Sequence, residues 1–85
     1  MSCPLCDEPS GVVESDPVEL RVTCDPCGPT FRMTHAVLVE WLKLEEPTRA
    51  VALLLARDHL RIMGAFMEEP RIQVDDIWAW GRREA

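Results

Sequence analysis

Hydrophobic and polar residues alternate through the first third of the chain, which is the pattern of a half-buried antiparallel strand. The clearest stretch covers residues 18–23 and places three apolar side chains opposite three polar ones: Val18, Leu20 and Val22 against Glu19, Arg21 and Thr23. Residues 11–15 are predicted to form an earlier strand, and residues 31–33 continue the alternation as a short third strand. Asp16-Pro17 is typical of a turn. The pattern therefore predicts two to three short antiparallel strands within residues 1–33.

Apolar residues recur at helical spacing from residue 34 onward. Thr34 can cap a helix from His35 to Leu44, which Glu45-Glu46-Pro47 is expected to stop. Thr48 can cap a longer helix from Arg49 to about Phe66 or Met67, which Gly64 weakens or ends. The apolar stripe predicted for that helix has six members: Ala52, Leu55, His59, Ile62, Met63 and Phe66.

The end of the chain is predicted to hold a brief extended piece at 72–74 and a short helix from Asp76 to Trp80, capped by Asp75 and ended by Gly81. The expected fold is α+β, with an N-terminal ribbon (1–33) and a helical lobe of two main helices and a short third one (34–85). A chain of 85 residues buries only about 60–65% of its unfolded surface. We therefore expect the two parts to form one cooperative unit.

Four cysteines occur as two Cys-x-x-Cys pairs, Cys3 with Cys6 and Cys24 with Cys27. Each pair lets one tight turn present two sulfur atoms to one point, and the segment between the pairs is predicted to be a hairpin. Gly28 follows the second pair and can adopt a positive φ as the chain leaves the turn. This spacing predicts one metal site with four thiolate ligands, best suited to zinc. Such a site has no open coordination position, so its metal is structural.

Three other interpretations of the cysteines are less favoured than a zinc site. Two disulfides are disfavoured, because the chain begins without a secretory signal pattern and has no run long enough to span a membrane; a cytoplasmic protein with reduced thiols is expected. A redox dithiol would need a Cys-x-x-Cys that opens a helix. Iron is chemically open because it also accepts four sulfur ligands, but the ribbon contains only one aromatic residue, Phe31. Zinc is preferred.

Charge is unevenly distributed along the chain, whose net charge is −6. Residues 1–47 contain nine acidic against three basic side chains, and the remainder is balanced. Nucleic-acid binding requires local positive charge, so the ribbon is poorly suited to it. The only alternative is the arginine-bearing helical half, where Arg57 and Arg61 lie one turn apart.

No arrangement of catalytic residues is evident, so an enzyme is not expected. His35 and His59 are interpreted as partly buried structural residues, and Asp75-Asp76 as helix-capping residues. Trp78 and Trp80 point about 200° apart on a helix. One is therefore predicted to pack beside Trp41, and the other to be exposed or to contribute to an interface with a partner protein or a second copy.

The two pairs, Cys3-Pro4-Leu5-Cys6 and Cys24-Asp25-Pro26-Cys27-Gly28, resemble a zinc ribbon. The run from Cys24 to Thr34, with its Cys-x-x-Cys-Gly-x-aromatic-x-aliphatic-Thr character, resembles a module that begins many uncharacterised small bacterial and phage proteins. The ribbon resemblance covers residues 1–34, and Asp7 stands where the module usually has glycine.

The resemblance implies a binding role and no particular activity. The leading expectation is an adaptor, inhibitor or regulator that acts by protein–protein interaction. A nucleic-acid-binding transcriptional accessory factor is the alternative, and a thiol redox enzyme is less favoured.

Overall fold

The computed structural model describes residues 2–81 as an α+β fold, as predicted. Four strands form one sheet: β1 Val12–Ser15, β2 Glu19–Cys24, β3 Gly28–Thr34 and β4 Arg71–Ile72. Two helices follow β3, namely α1 His35–Leu42 and α2 Glu46–Gly64, and a third, α3 Val74–Gly81, follows β4. A short 3₁₀ helix, Asp25–Cys27, connects β2 to β3.

The strand order in the sheet is β1-β2-β3-β4. The first three strands are antiparallel, with Val22 opposite Phe31 at the centre of the β2–β3 pair. β4 pairs with β3 in the parallel direction, and α1 and α2 lie between them in the chain. A parallel pair requires a long crossover connection, commonly helical. The fourth strand, which was predicted only as a brief extended piece, thus joins the C-terminal part of the chain to the ribbon's sheet.

The first two helices differ from prediction at their ends, and α1 ends at Leu42, before the predicted Leu44. The predicted cap of α1 is confirmed, because the Val37 N–H donates to Thr34 Oγ1 at 3.3 Å. α2 begins at Glu46 with Glu45 as its N-cap, so the prediction that Thr48 caps it is wrong. Pro47 lies in the first turn of α2, where backbone N–H groups have no partner within the helix, so proline is tolerated there. The prediction that Pro47 lies between the two helices is therefore wrong. α2 ends at Gly64, before the predicted Phe66 or Met67.

The last helix also begins earlier than predicted, at Val74. The carboxylate of Asp76, inside its first turn, accepts a hydrogen bond from the Gln73 N–H at 2.9 Å. The prediction that Asp75 caps a helix starting at Asp76 is therefore wrong. Asp76 lies inside the helix, and its carboxylate binds the backbone N–H of the residue before the helix, as the acidic residue of a capping box does.

One hydrophobic cluster fills the space between the sheet and the helices. Its buried members outside the cysteines come from loop, strands and helices: Leu5, Leu20, Val22, Phe31, Met33, Val37, Trp41, Ala52, Ala56, Leu60, Ile72, Ile77 and Trp80. Three apolar residues that were predicted to lie on a buried face are exposed. Val18 is 73% exposed because it precedes β2, whereas Ile62 (52%) and Phe66 (81%) lie away from the buried face of α2. That face consists of Ala52, Ala56 and Leu60.

Ion pairs cover the sheet beside β4. Arg21 and Arg32 are direct neighbours across β2 and β3, an arrangement of like charges that is unfavourable by itself. Glu69 accepts a hydrogen bond from Arg21 Nε, and its other oxygen accepts from Arg32 Nε and Nη2 at 3.2 and 3.0 Å. Glu69 thus bridges the two arginines and holds the segment after α2 on the sheet.

Glu19, predicted to lie on the solvated face of its strand, is buried. Its carboxylate accepts hydrogen bonds from Arg32 Nη1 at 2.9 Å and Arg71 Nη2 at 3.3 Å. A buried carboxylate is tolerated when it is paired in this way. The polar face of β2 is therefore covered by charged partners from β3 and β4.

We predict that Glu69→Gln lowers the unfolding free energy at pH 7. The arginines, Arg21 first and then Arg32, hold the pKa of Glu69 below its usual range. A depressed carboxyl pKa contributes stability above the unfolded-state pKa, and this contribution is lost as the pH falls through the lower folded-state pKa. The difference from the parent, measured by urea unfolding, should therefore shrink as the pH is lowered through about 4.

Glu68→Gln is the matched control, since Glu68 is an exposed neighbour. Any effect of acid on the metal site is common to both variants and cancels in their comparison. A Glu69→Gln protein as stable as Glu68→Gln at pH 7 would contradict the bridging role of Glu69.

Candidate metal centre

The first cysteine pair lies in the loop that precedes β1. The backbone N–H groups of Leu5 and Cys6 donate to Cys3 Sγ, and the Asp7 N–H donates to the Cys3 carbonyl at 2.8 Å. Asp7 has a φ of 62°, in the left-handed region. Aspartate enters this region more readily than most residues, so the turn adopts without glycine a backbone conformation that glycine adopts most easily.

The second pair is formed where β2 ends. Cys24 is the last residue of β2, and Cys27 ends the 3₁₀ helix that follows it. A bulge between Thr23 and Cys24 breaks the strand register at this point. Gly28 then leaves the turn with a φ of 119°, which confirms the predicted positive φ.

The two turns bring the four predicted ligands together. All four Sγ atoms lie within 4.8 Å of one another; the Cys3–Cys27 separation is 4.0 Å and the Cys6–Cys24 separation is 3.5 Å. A tetrahedral ion with metal–sulfur bonds of about 2.3 Å requires sulfur atoms about 3.8 Å apart. The tetrad therefore fits one metal ion. Three of the cysteines are buried and Cys6 is half-buried.

Gly11, just before β1, sets how closely the first turn approaches the sheet. A Cβ atom at this position would lie 2.8 Å from the Cys3 backbone nitrogen and 3.0 Å from Cys3 Cβ. Backbone atoms cannot move aside as a flexible side chain can. Gly11 is not recognisable as part of the site from the sequence, because a glycine before a strand has no distinctive pattern until its spatial neighbours are known.

We predict that Gly11→Ala destabilises the protein by about 1–3 kcal/mol, the usual cost of overpacking, and weakens metal binding by displacing Cys3. Gly64→Ala is the control: nothing lies within 4 Å of a Cβ at the end of α2, so this change should be neutral or stabilising by up to about 1 kcal/mol. Thermal unfolding and chelator competition measure the two effects. Equal behaviour of the two variants would contradict the close approach.

Arg57 on α2 faces the tetrad, whereas the sequence favoured a solvated position for it. Its guanidinium lies beside the thiols of Cys27 and Cys6, and hydrogen bonding to them, mainly to Cys27, raises the pKa of Arg57. Its Nε is buried and bonds to no atom of residues 2–81. A four-thiolate site with a divalent ion has a net charge of about −2, so the guanidinium offsets part of that charge.

A second contact joins α2 to the same turn. The Cβ of Leu60 lies 3.5 Å from where a Cβ of Gly28 would be, so the helix packs directly on the backbone that leaves Cys27. Arg61, one turn beyond Arg57, is exposed and pairs with Asp58 instead. Both arginines border a groove of about 710 Å³ beside the second cysteine pair, but they have different partners.

The thiols differ in acidity before a metal binds. A hydrogen bond from Cys27 lowers the pKa of Cys3 to about 5, and the same bond, followed by burial, raises the pKa of Cys27. Burial raises the pKa of Cys24 to about 11. Cys3 and Cys27 therefore share a proton between them, and this proton and that of Cys24 must be displaced when a metal binds. Metal affinity consequently decreases as the pH falls.

The tryptophans of α3 occupy different environments, as predicted. Trp80 is buried in the same cluster as Trp41 and meets the ring of His59 edge-on at 5.5 Å. Trp78 is 47% exposed, and its Nε1 donates to Glu40 at 2.8 Å. Participation of Trp78 in an interface stays a prediction.

The histidines lie apart from the tetrad. His59 is partly buried, as expected, and its Nε2 lies 3.1 Å from the Arg71 carbonyl. His35 is exposed, contrary to expectation, because its ring reaches back to the Asp16 carbonyl at 3.1 Å on the surface.

Comparisons with known proteins gave no match of this chain to a protein-family model, a curated protein or a solved structure. Among residues 2–81, no helix has the length and apolar character needed to cross a membrane. The geometry of the cysteine tetrad is therefore the observation on which a functional assignment rests.

Proposed function

We propose that this chain binds one zinc ion as a structural element and acts by binding another protein, as an adaptor or regulator. The observation that carries the zinc assignment is the convergence of four sulfur atoms at tetrahedral spacing. Sulfur-only tetrahedral sites suit zinc or iron. Zinc is favoured, since the ribbon contributes a single aromatic residue, Phe31, to surroundings that would otherwise support electron transfer. With all four positions taken by protein, the ion stabilises the fold and performs no catalysis.

A protein partner is favoured over a nucleic acid by how the basic side chains are used. Nine lysines and arginines occur in the sequence, and Arg82 and Arg83 fall outside the described residues, which leaves seven. Each of the seven is engaged by a carboxylate, a carbonyl oxygen or a thiol: Arg21, Arg32, Lys43, Arg49, Arg57, Arg61 and Arg71. Engaged cations in a chain of net charge −6 give little affinity for phosphates.

Reduced thiols are needed for this site, and a cytoplasmic location would supply them. A redox role is less favoured, because a bound ion occupies all four sulfur atoms. The same occupation argues against nucleophilic catalysis by any of the cysteines. We thus propose a binding module that is stabilised by a metal ion and has no enzymatic activity of its own.

We predict that the purified chain contains one zinc ion and that Cys24→Ser abolishes tight zinc binding. A hydroxyl is a far poorer ligand than a thiolate, and a structural zinc site contributes folding free energy directly, about 10–16 kcal/mol of binding in small peptides. Elemental analysis and thermal unfolding measure the effect. Thr23→Ser, a similarly small change at the preceding residue, is the control and should keep its zinc. Unchanged metal content and melting temperature in Cys24→Ser would refute the assignment.

The interaction role is tested by affinity capture from the native host with the zinc-loaded parent as bait and Cys24→Ser as the unfolded control. A defined protein should be retained by the parent and by Thr23→Ser, and lost with Cys24→Ser. A folded, zinc-loaded parent that retains no specific protein would count against the adaptor role and leave the zinc assignment standing.

A further inference from the structure

α2 exposes apolar residues on the side opposite to the core. Its buried face consists of Ala52, Ala56 and Leu60. Five exposed apolar side chains lie on the other side or just past its end: Val51 (36%), Leu54 (66%), Ile62 (52%), Phe66 (81%) and Met67 (44%). A helix that is apolar on two opposite faces is ordinarily covered on both. We define the outer face of α2 by Val51, Leu54, Asp58, Ile62 and Ala65.

We propose that the outer face of α2 is covered by a second copy of this chain, with the two helices antiparallel about a two-fold axis at Asp58. The positions are symmetric about that residue: Leu54 and Ile62 lie four residues to either side, and Val51 and Ala65 lie seven to either side. At about 100° per residue, all five fall within a sector of about 80°.

A two-fold interface is self-complementary, so residue i of one copy meets residue j of the other and the reverse contact is repeated. In the antiparallel arrangement, Leu54 of each copy meets Ile62 of the other, and Val51 meets Ala65, with Phe66 beside it. The spacing of these positions is the same read from either end of the helix, as an antiparallel two-fold pair requires.

The charges at the centre are also compatible with self-association. Asp58 accepts a hydrogen bond from Arg61, one turn away on the same helix. In the two-fold pair, the two Asp58 carboxylates face each other at the axis, and the Arg61 of each copy offsets this like-charge contact by pairing with Asp58 of its own chain. α2 itself carries three arginines against two acidic residues. The excess negative charge of the chain is thus located outside this helix.

The exposed area is sufficient for a stable pair. The four large apolar side chains placed in these contacts, Val51, Leu54, Ile62 and Phe66, offer on the order of 500 Å² of apolar surface per copy at their exposures. A standard interface buries about 800 Å² per partner, of which somewhat more than half is apolar. The 19 residues of α2 form a contact of about 28 Å in length. The helix can therefore supply most of the interface.

This inference deepens the proposed interaction role by naming a surface and its partner, but it depends on α2 and not on the identity of the metal. The zinc-loaded full chain, studied by sedimentation equilibrium in the micromolar range, should have twice the 9.7 kDa mass of one chain. Leu54→Glu and Ile62→Lys should each weaken the dimer at least about 100-fold, because each places a charge against an apolar side chain in both halves of the interface.

Mixing the two variants tests the antiparallel register directly. A pair of one Leu54→Glu chain and one Ile62→Lys chain has one Glu–Lys contact and one parental Leu–Ile contact, so the mixture should form a dimer that neither variant forms alone. Val39→Glu, at a position on α1 that is 51% exposed, is the control and should dimerise like the parent. Circular dichroism and zinc content confirm that each variant is folded.

Three results would overturn the proposal. They are a parent of single-chain mass at the highest micromolar concentrations, a Leu54→Glu variant that dimerises like the parent, and a mixture of the two variants that stays monomeric. A chain that binds zinc and captures a host protein but never dimerises would overturn this inference alone and leave the proposed function intact.

Discussion

Four sulfur atoms within 4.8 Å of one another are the constraint on which the rest of this structure depends. Buried thiols gain little from such crowding by themselves, since burial raises the pKa of Cys24, and Cys27 shares a proton with Cys3. An ion that accepts all four thiolates converts the crowding into bonds. In a chain of 85 residues, whose hydrophobic core is small, such bonds would take the place that a larger core has in larger domains.

The metal centre reaches the helices as well as the strands. Gly11 lets the first cysteine turn approach β1, and Gly28 lets the second turn pack on Leu60 of α2. Arg57 adds a charged contact from the same helix to Cys27. On the far side of the sheet, Glu69 joins β2 and β3 to the segment that leads into β4. The ribbon and the helices thus share their contacts, and the loss of the metal should affect both.

Sequence patterns predicted the features whose causes are local. The alternation of Leu20 and Val22, the Thr34 cap and the positive φ of Gly28 depend on residues within a few positions of one another, and the structure confirms each. The cysteine spacing likewise indicated four ligands that the structure brings together. Arg57 and Glu69 have roles that the sequence does not indicate, because their partners lie 30 to 51 residues away and no periodicity encodes such pairs.

The predicted helix boundaries were wrong for a related reason. Pro47 can end one helix or begin the next, and in the structure it lies in the first turn of α2. The exposed side of α2 shows the same limit: Ile62 and Phe66 follow helical spacing as core residues would, yet the sheet selects Ala52 and Ala56 because small side chains allow close approach. Periodicity reports that a helix has an apolar side without indicating which of two sides is covered within the chain.

Amide hydrogen exchange with and without a strong chelator tests the central claim most directly, which is that one metal ion holds the strands and α2 together. We expect removal of the metal to increase exchange in β2 and β3 and, at the same time, in the turns of α2 that contain Arg57 and Leu60, with recovery when zinc is restored. Unchanged protection throughout, or loss confined to residues 2–11 while α2 stays protected, would contradict the account.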